Sequence, residues 1–145
     1  MRATEVHDNP WLSTRWSVDG IVVRKQTDDI QARTLLKQTT DYRLYLHTGL
    51  SISLYVDQAE SYYHNLMMRT PRVFVVCRDA EGQDPAPFLV TASADEANAY
   101  VETDEWAEAI DPPPEFIAWI ERFVLTHYVP EKKVKRVRKN WKVAQ

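Results

Sequence analysis

Glycine and cysteine are scarce in this sequence, which has three glycines and one cysteine among its 145 residues. A glycine-rich phosphate-binding loop needs several glycines close together, whereas Gly20, Gly49 and Gly82 are far apart, so the sequence excludes such a loop. The single cysteine, Cys77, excludes an intramolecular disulfide bond. It ends an apolar run that begins at Val73, and this setting predicts a buried, unreactive thiol.

Long apolar runs are also missing. No stretch approaches the ~18 apolar residues of a membrane span, and residues 1–10 lack the apolar centre of a secretory signal peptide. We therefore expect a cytoplasmic protein. Apolar residues make up 44% of the chain, which is ordinary for a globular protein and enough for one domain with its own core.

The residues that usually carry catalysis are not arranged for it. There is no Gly-x-Ser-x-Gly nucleophile elbow. Acidic pairs such as Asp95-Glu96 are explained by helix capping, because adjacent residues of a helix do not share a face. The four histidines are scattered, with no second His or Cys three or four positions away: His7, His47, His64 and His127. We therefore expect no enzyme activity, no cofactor and no metal site.

Charge is divided unevenly along the chain. Residues 131–145 hold seven basic residues and one acidic residue, a formal charge of +6, while the whole chain carries −3. Residues 1–130 therefore carry −9. An acidic body with a basic end is typical of an interaction arm, so we predict one globular domain over 1–130 and a basic tail over 131–145.

Alternation of apolar and polar residues predicts several strands. The segments 15–25, 41–47 and 50–56 alternate, with Thr48-Gly49 as a tight turn between the last two. The β-branched segments 72–78 and 88–92 are also predicted to be strands. Residues 1–11 are predicted to be an irregular lead-in, and 30–37 a short helix or a loop. The segment from 79 to 87, which contains Pro85 and Pro87, is predicted to be a loop.

Three helices are predicted from capping residues and apolar spacing. Asp57 with Glu60 forms one capping box, and Ser93 with Glu96 forms another. A long last helix follows the prolines at 112–114 and stops at Val129-Pro130, while Trp106 falls in an acidic linker. Short turns exclude parallel crossovers. We predict an α+β fold: a largely antiparallel twisted sheet or small open barrel of about five to six strands, with one mid-chain helix, one short helix and a long C-terminal helix packed on the sheet.

Two clusters of aromatic and polar residues are candidate partner-binding sites. Trp11, Arg15 and Trp16 form the first, since an arginine beside an indole can stack on it. Tyr62, Tyr63 and Asn65 form the second, because consecutive polar and aromatic residues point all round a helix. Each cluster also has a structural interpretation: Trp11 would hold the N-terminal segment to the body, Tyr62 would be buried with its hydroxyl bonded, and Asn65 would tie down a neighbouring loop.

The basic tail has several interpretations, which the sequence leaves open. It can dock on an acidic protein surface, bind nucleic acid, meet an anionic membrane surface, or remain solvated. An acidic body of −9 would repel a phosphate backbone unless the tail projects away from it. The candidate partner-binding residues of the tail are Lys132, Lys133, Lys135, Arg136, Arg138 and Lys139.

Several motifs together resemble a small bacterial family of unknown function. They are Asn9-Pro10-Trp11 with Trp16, the central element from Asp57 through Tyr62 to Leu66, Thr91-Ala92-Ser93 and the Lys/Arg tail. Members of that family are often encoded beside molybdenum-containing formate dehydrogenases and their maturation proteins, so the resemblance implies an accessory or partner role near such an enzyme. Two departures stand out: Gln58 replaces a commonly acidic residue, and an apolar strand before Asn-Pro-Trp is expected to be missing.

The leading hypothesis is a non-enzymatic accessory, assembly or protein-binding module, with no membrane span. One alternative is a nucleic-acid-binding regulator that uses the tail. Another is a small-molecule sensor or enzyme, which would need a deep pocket that unites Tyr62, His64 or Arg15 with a carboxylate.

Overall fold

A computed structural model describes residues 1–7, 11, 13–24 and 30–130 of the chain; the predicted basic tail lies outside the described residues. Within this part the backbone forms seven strands and three α-helices. In chain order they are β1 Arg2–Glu5, β2 Thr14–Ser17, β3 Ala32–Gln38, β4 Tyr42–Thr48, α1 Ala59–Met67, β5 Val73–Ala80, β6 Gln83–Thr91, α2 Ala94–Val101, β7 Trp106–Ile110 and α3 Pro114–His127. One turn of 3₁₀-helix, Val56–Gln58, precedes α1.

The strands form two antiparallel sheets rather than one. The first has four strands in the order β2-β1-β4-β3, and the second has three in the order β6-β5-β7. Every described pairing is antiparallel. The α+β class, the antiparallel pairing and the three helices are therefore confirmed. The described part has seven strands where about five or six were predicted, and neither sheet closes into a barrel.

Three of the seven strands were not predicted because they depend on distant partners. β1 was predicted to be an irregular lead-in, β3 a helix or loop, and β7 an acidic linker. β1 is only four residues long, and it forms because it lies between β2 and β4, where Ala3 is fully buried. A strand, β1, does precede the Asn-Pro-Trp element, but its sequence is Arg-Ala-Thr-Glu and is not apolar.

The predicted strand over 50–56 is wrong, as is the hairpin that would join it to β4. Both edges of β4 are already occupied by β1 and β3, so the following segment has no free edge beside it. The chain leaves the sheet at Gly49, whose φ is +82° and whose backbone lies so close to Gln31 that a side chain would collide with it. Ile52 and Leu54 alternate because they pack against the core, which accounts for the strand-like pattern.

Of the two predicted capping boxes, one is present by half, because the Ser93 amide donates to Thr91 Oγ1 and not to the Glu96 carboxylate. Ser93 caps α2, and its Oγ accepts a hydrogen bond of 3.1 Å from the Glu96 amide. Asp57 instead lies within the 3₁₀ turn and makes no capping hydrogen bond, because α1 begins two residues later. The last helix begins at Pro114 as predicted, since proline is tolerated in a first turn where its missing N–H has no helical partner.

α2 packs on the three-stranded sheet, and α1 packs against both α2 and α3. One core joins α1, α3 and β5 with residues from the N-terminal strands; its buried members include Val18, Tyr62, Val75 and Ile120. Cys77 is fully buried in this core, as predicted, and burial raises the pKa of its thiol to about 12. No helix in the described ranges is both long enough and apolar enough to cross a bilayer.

Candidate functional site

An open cleft lies where the ends of the two sheets meet. It has a volume of about 330 Å³. We call it the inter-sheet cleft, and its lining residues are Thr14, Arg15, Trp16, Asp79, Gln83, Pro85 and Trp106. It brings two of the predicted partner-binding residues, Arg15 and Trp16, together with residues from the second sheet. The lining residues come from both sheets, so the cleft forms only when the two sheets are assembled, and no single sequence motif contains it.

The second sheet holds one wall of the cleft in place through its side chains. The indole nitrogen of Trp106 donates a hydrogen bond of 2.9 Å to Asp79 Oδ1. Beside it, Arg78 pairs with Glu105 at 2.6 Å, and its guanidinium lies 4.4 Å from the centre of the Phe88 ring. The Asp79 carboxylate therefore accepts a hydrogen bond from an indole. This bond fixes the position of the Trp106 ring in the wall of the cleft.

The first sheet supplies the other wall from β2. Trp16 stacks on Tyr45, with ring centres 5.9 Å apart and an angle of 24° between the ring planes. Arg15 is exposed and makes no ion pair with any described residue. The two residues are consecutive in β2, where Trp16 pairs with Ala3 and Arg15 with Thr4, and both line the cleft. β2 thus contributes to the cleft an aromatic ring packed on Tyr45 and a cation without an ion-pair partner among the described residues.

The second predicted cluster does not form an accessible recognition face. Tyr62 is 1% exposed, and its hydroxyl accepts a hydrogen bond of 3.2 Å from the Tyr55 amide; burial also raises the pKa of this hydroxyl. Asn65 is 3% exposed and bonds the backbone at Arg72 and Ala92. The structural interpretation of both residues is confirmed, so the surface of α1 cannot offer their side chains to a partner.

The other predicted contact residues are scattered or lie outside the described part. Tyr63 is half-buried and packs against Tyr128, with ring centres 4.8 Å apart. Trp11 is exposed on the surface, whereas Asn9 and Pro10 lie outside the described residues. Also outside are the six candidate residues of the tail: Lys132, Lys133, Lys135, Arg136, Arg138 and Lys139.

A second, smaller recess of about 210 Å³ lies between β3, β4 and β6. His47 lines it, and its Nε2 is buried without a hydrogen-bond partner. Burial, with smaller contributions from the positive charges of the N-terminal ammonium and of Arg33, lowers the pKa of His47 to about 4. Arg33 in turn pairs with Asp84 of β6 at 2.8 Å, so the two sheets are joined by an ion pair at this point.

The residues needed for the predicted small-molecule pocket do not converge. Tyr62 lies in the core, His64 lies on the surface 3.5 Å from Glu60, and Arg15 lies at the inter-sheet cleft. Among the described residues, no group of three or more His, Cys, Asp or Glu side chains is placed to hold a metal ion. The cleft offers aromatic surface and one cation, which are means of contact with another molecule.

Sequence reasoning missed Trp106 and Asp79 as part of this site. Trp106 was assigned to a linker, although the sequence has five tryptophans, an excess that favours binding surfaces. The pairing of β7 with β5 places Trp106 opposite Cys77, which is two residues before Asp79. This pairing brings Trp106 to the cleft, and it joins segments that are distant in the sequence. A tryptophan in a polar segment was the one signal available.

Together, the fold and cleft define a two-sheet α+β fold with a cleft between the sheets that is lined by two tryptophans. The chain belongs to the family described as Protein of unknown function (DUF3305), whose model matches residues 1–138. The match covers the whole described part and reaches into the basic tail. Neither the curated proteins nor the solved structures gave a match.

Proposed function

We propose that this protein is a non-enzymatic docking or assembly module that binds a larger protein at the inter-sheet cleft. The observation that carries this proposal is the meeting of Arg15, Trp16 and Trp106 at one open cleft. Tryptophan and arginine are enriched among the residues that dominate the energy of protein interfaces. Trp16 and Trp106 are held by Tyr45 and Asp79 before any partner arrives, which lowers the entropy cost of binding.

The first candidate partner is a molybdenum-containing formate dehydrogenase or one of its maturation proteins. The support for it is the resemblance of the sequence to a family often encoded beside such enzymes. The basic tail, with +6 on residues 131–145, would accelerate association with an acidic partner, and this contribution would weaken as salt is raised. The cleft would then provide the specific contact.

The test is recovery of a partner from a native lysate with the tagged full chain. Arg15→Glu reverses an exposed charge that has no ion-pair partner among the described residues, so it should leave the fold intact. Arg122→Glu, on the exposed face of α3, is the matched control. We expect wild type and Arg122→Glu to retain one stoichiometric partner and Arg15→Glu to lose it. Recovery of no stoichiometric partner would contradict the proposal, as would equal retention by all three proteins.

The named partner has its own test. Immobilised formate dehydrogenase from the native host should bind wild type, and Arg15→Glu should weaken that binding roughly tenfold or more if Arg15 is a dominant contact. Absence of binding would exclude this enzyme as the partner, while the lysate experiment would still test docking as such.

Nucleic-acid binding is a second candidate, favoured by charge. The strands of the four-stranded sheet contain five basic residues and one acidic residue, a formal +4 within a body of −9. If the tail and this sheet bind nucleic acid, a gel shift should be salt-sensitive, and deletion of residues 131–145 should abolish it. Absence of any shift at low salt would dismiss this candidate.

A further inference from the structure

The strand β3 is open to solvent along its whole length. It lies at the edge of the four-stranded sheet and pairs only with β4. All seven of its residues are exposed, including Leu35 at 46% and Leu36 at 56%. An edge strand presents a row of main-chain N–H and C=O groups without strand partners, and another extended chain can pair with it. Within the described ranges, no strand occupies this edge.

The other sheet edges are less suited to such pairing. β6 contains Pro85 and Pro87, which have no N–H to donate, and its ladder with β5 is irregular in that region. β2 and β7 are shorter, with four and five residues. β3 has seven residues and no proline, and its one irregularity falls between Leu35 and Lys37. β3 is therefore the longest proline-free edge strand among the described strands and the only one of them whose residues are all exposed; its ladder is regular from Ala32 to Leu35.

The basic charge of β3 indicates which kind of strand would pair with it. It carries Arg33 and Lys37 and no acidic residue. Arg33 already pairs with a carboxylate, that of Asp84, whereas Lys37 makes no ion pair with any described residue. The Lys37 ammonium lies 5.9 Å from the centre of the Tyr42 ring, beside the Arg2 guanidinium at 4.2 Å from the same ring. An incoming strand would therefore meet a basic edge.

A second copy of this chain is a poor occupant of that edge. Antiparallel pairing of β3 with itself about Leu35 would set Arg33 of one copy opposite Lys37 of the other. Like charges directly opposite each other destabilise a strand pair, whereas opposite charges stabilise it. Lys37, which has no ion-pair partner among the described residues, therefore favours an acidic strand over a second copy.

We propose that β3 is a docking edge for an extended acidic segment of a partner protein, which adds to the four-stranded sheet as a fifth strand. Main-chain hydrogen bonds along residues 32–35 would provide the pairing, and acidic side chains opposite Lys37 would provide the selectivity. This edge lies on the far side of the sheet from β2, so the inference is independent of the inter-sheet cleft.

The test uses the full chain and a defined probe: a fluorescein-labelled peptide of about ten residues that alternates valine with glutamate, long enough for one strand. Two matched peptides separate the causes of binding. One replaces glutamate by lysine, and the other keeps glutamate but is N-methylated at every residue, so that neither edge can donate hydrogen bonds. Binding is followed by fluorescence anisotropy at low salt for wild type, Lys37→Glu and the control Arg122→Glu.

We expect the acidic peptide to bind wild type and Arg122→Glu alike, and Lys37→Glu to bind it roughly three- to tenfold more weakly. The lysine peptide and the N-methylated peptide should bind at least tenfold more weakly than the acidic peptide. Equal binding of the N-methylated peptide would overturn strand addition, because only charge attraction would remain. Binding of an oligothymidylate but not of the acidic peptide would also overturn the proposal, as would a failure of the acidic peptide to bind.

Discussion

The amide of Val18 donates a hydrogen bond of 2.9 Å to Oε2 of Glu108, and this bond joins the end of β2 to the second sheet. Val18 is buried in the core, and Glu108 lies on the strand that carries Trp106. β2 ends at Ser17, so the N–H of Val18 lies beyond the strand ladder, and the Glu108 carboxylate accepts its hydrogen bond instead. The contact therefore fixes β2 beside the wall of the inter-sheet cleft.

Removing this acceptor should destabilise the fold. Glu108→Ala leaves the Val18 N–H without its partner, at a cost of about 1–3 kcal/mol in the free energy of unfolding. Glu108→Gln retains an acceptor oxygen and should cost distinctly less. Urea unfolding followed by tryptophan fluorescence measures both. Equal destabilisation by the two substitutions would show that the charge of Glu108, and not its bond to Val18, matters here.

The side chain of Asn65 ties α1 to two other segments, and its loss should be more costly. Its Nδ2 donates to the carbonyl oxygens of Arg72 and Ala92 at 2.7 and 2.9 Å, and its Oδ1 accepts from the Arg72 amide at 3.0 Å. Asn65→Ala should lower the free energy of unfolding by about 3 kcal/mol, because buried main-chain groups lose their partners.

Asn65→Asp distinguishes these bonds from simple packing. An aspartate retains the acceptor but cannot donate to the two carbonyl oxygens, so it should be destabilising although its shape is nearly the same. Asn98→Ala, on the exposed surface of α2, is the control and should change stability little. An Asn65→Asp variant as stable as wild type in urea would contradict the role given to the two donated bonds.

Stability should depend on pH through His47. Its pKa is lowered to about 4 in the fold from an ordinary value of 6.5, so the folded state favours the neutral imidazole. Between these two values the unfolded chain binds a proton that the folded chain does not, and the free energy of unfolding should therefore fall as the pH is lowered from about 6.5 towards 4. Nε2 has no hydrogen-bond partner to stabilise the charged form.

The measurement is the unfolding temperature of wild type and His47→Gln across that range. The substitution removes this titration, so its unfolding temperature should fall less steeply over the same interval. Parallel curves for the two proteins would mean that His47 does not carry the pH dependence. His64→Gln is the matched control for the loss of an imidazole, since His64 is exposed on α1.

Cys77 should be inert in the folded protein. It is fully buried, and burial raises the pKa of its thiol to about 12, so almost no thiolate is present near neutral pH. Ellman's reagent should therefore give no colour with the native protein and one equivalent of thiol after unfolding in urea. Rapid reaction without denaturant would show that the β5 region opens readily.

Local signals in the sequence were good predictors of local structure. Ser93 with Glu96 predicted the start of α2, and the prolines before residue 115 predicted the start of α3, because capping and proline geometry depend on nearby residues alone. The β-branched run around Val75 likewise predicted β5. The buried role of Tyr62 was one of two interpretations, and the structure distinguishes between them.

Long-range pairing could not be predicted in the same way. The alternation over 50–56 has the period of a strand, yet a strand also needs a free edge, and β1 and β3 had taken both edges of β4. Neither β1 nor β3 carries a strong pattern of its own. The inter-sheet cleft was only half predicted for the same reason. Arg15 and Trp16 were predicted as a cluster from their neighbouring positions in the sequence. No local motif indicates the division into two sheets, which brings Trp106 to the same cleft.

The separation of the strands into two ladders also determines what joins the two sheets. Within the described residues, no main-chain hydrogen bond runs from one sheet to the other; the polar links are the carboxylate of Glu108 and the ion pair of Arg33 with Asp84. Val18 also shares the apolar core with Val75 and Cys77. The placement of one sheet beside the other therefore rests on side chains, so a substitution at one of these contacts can alter it while each ladder keeps its own main-chain hydrogen bonds.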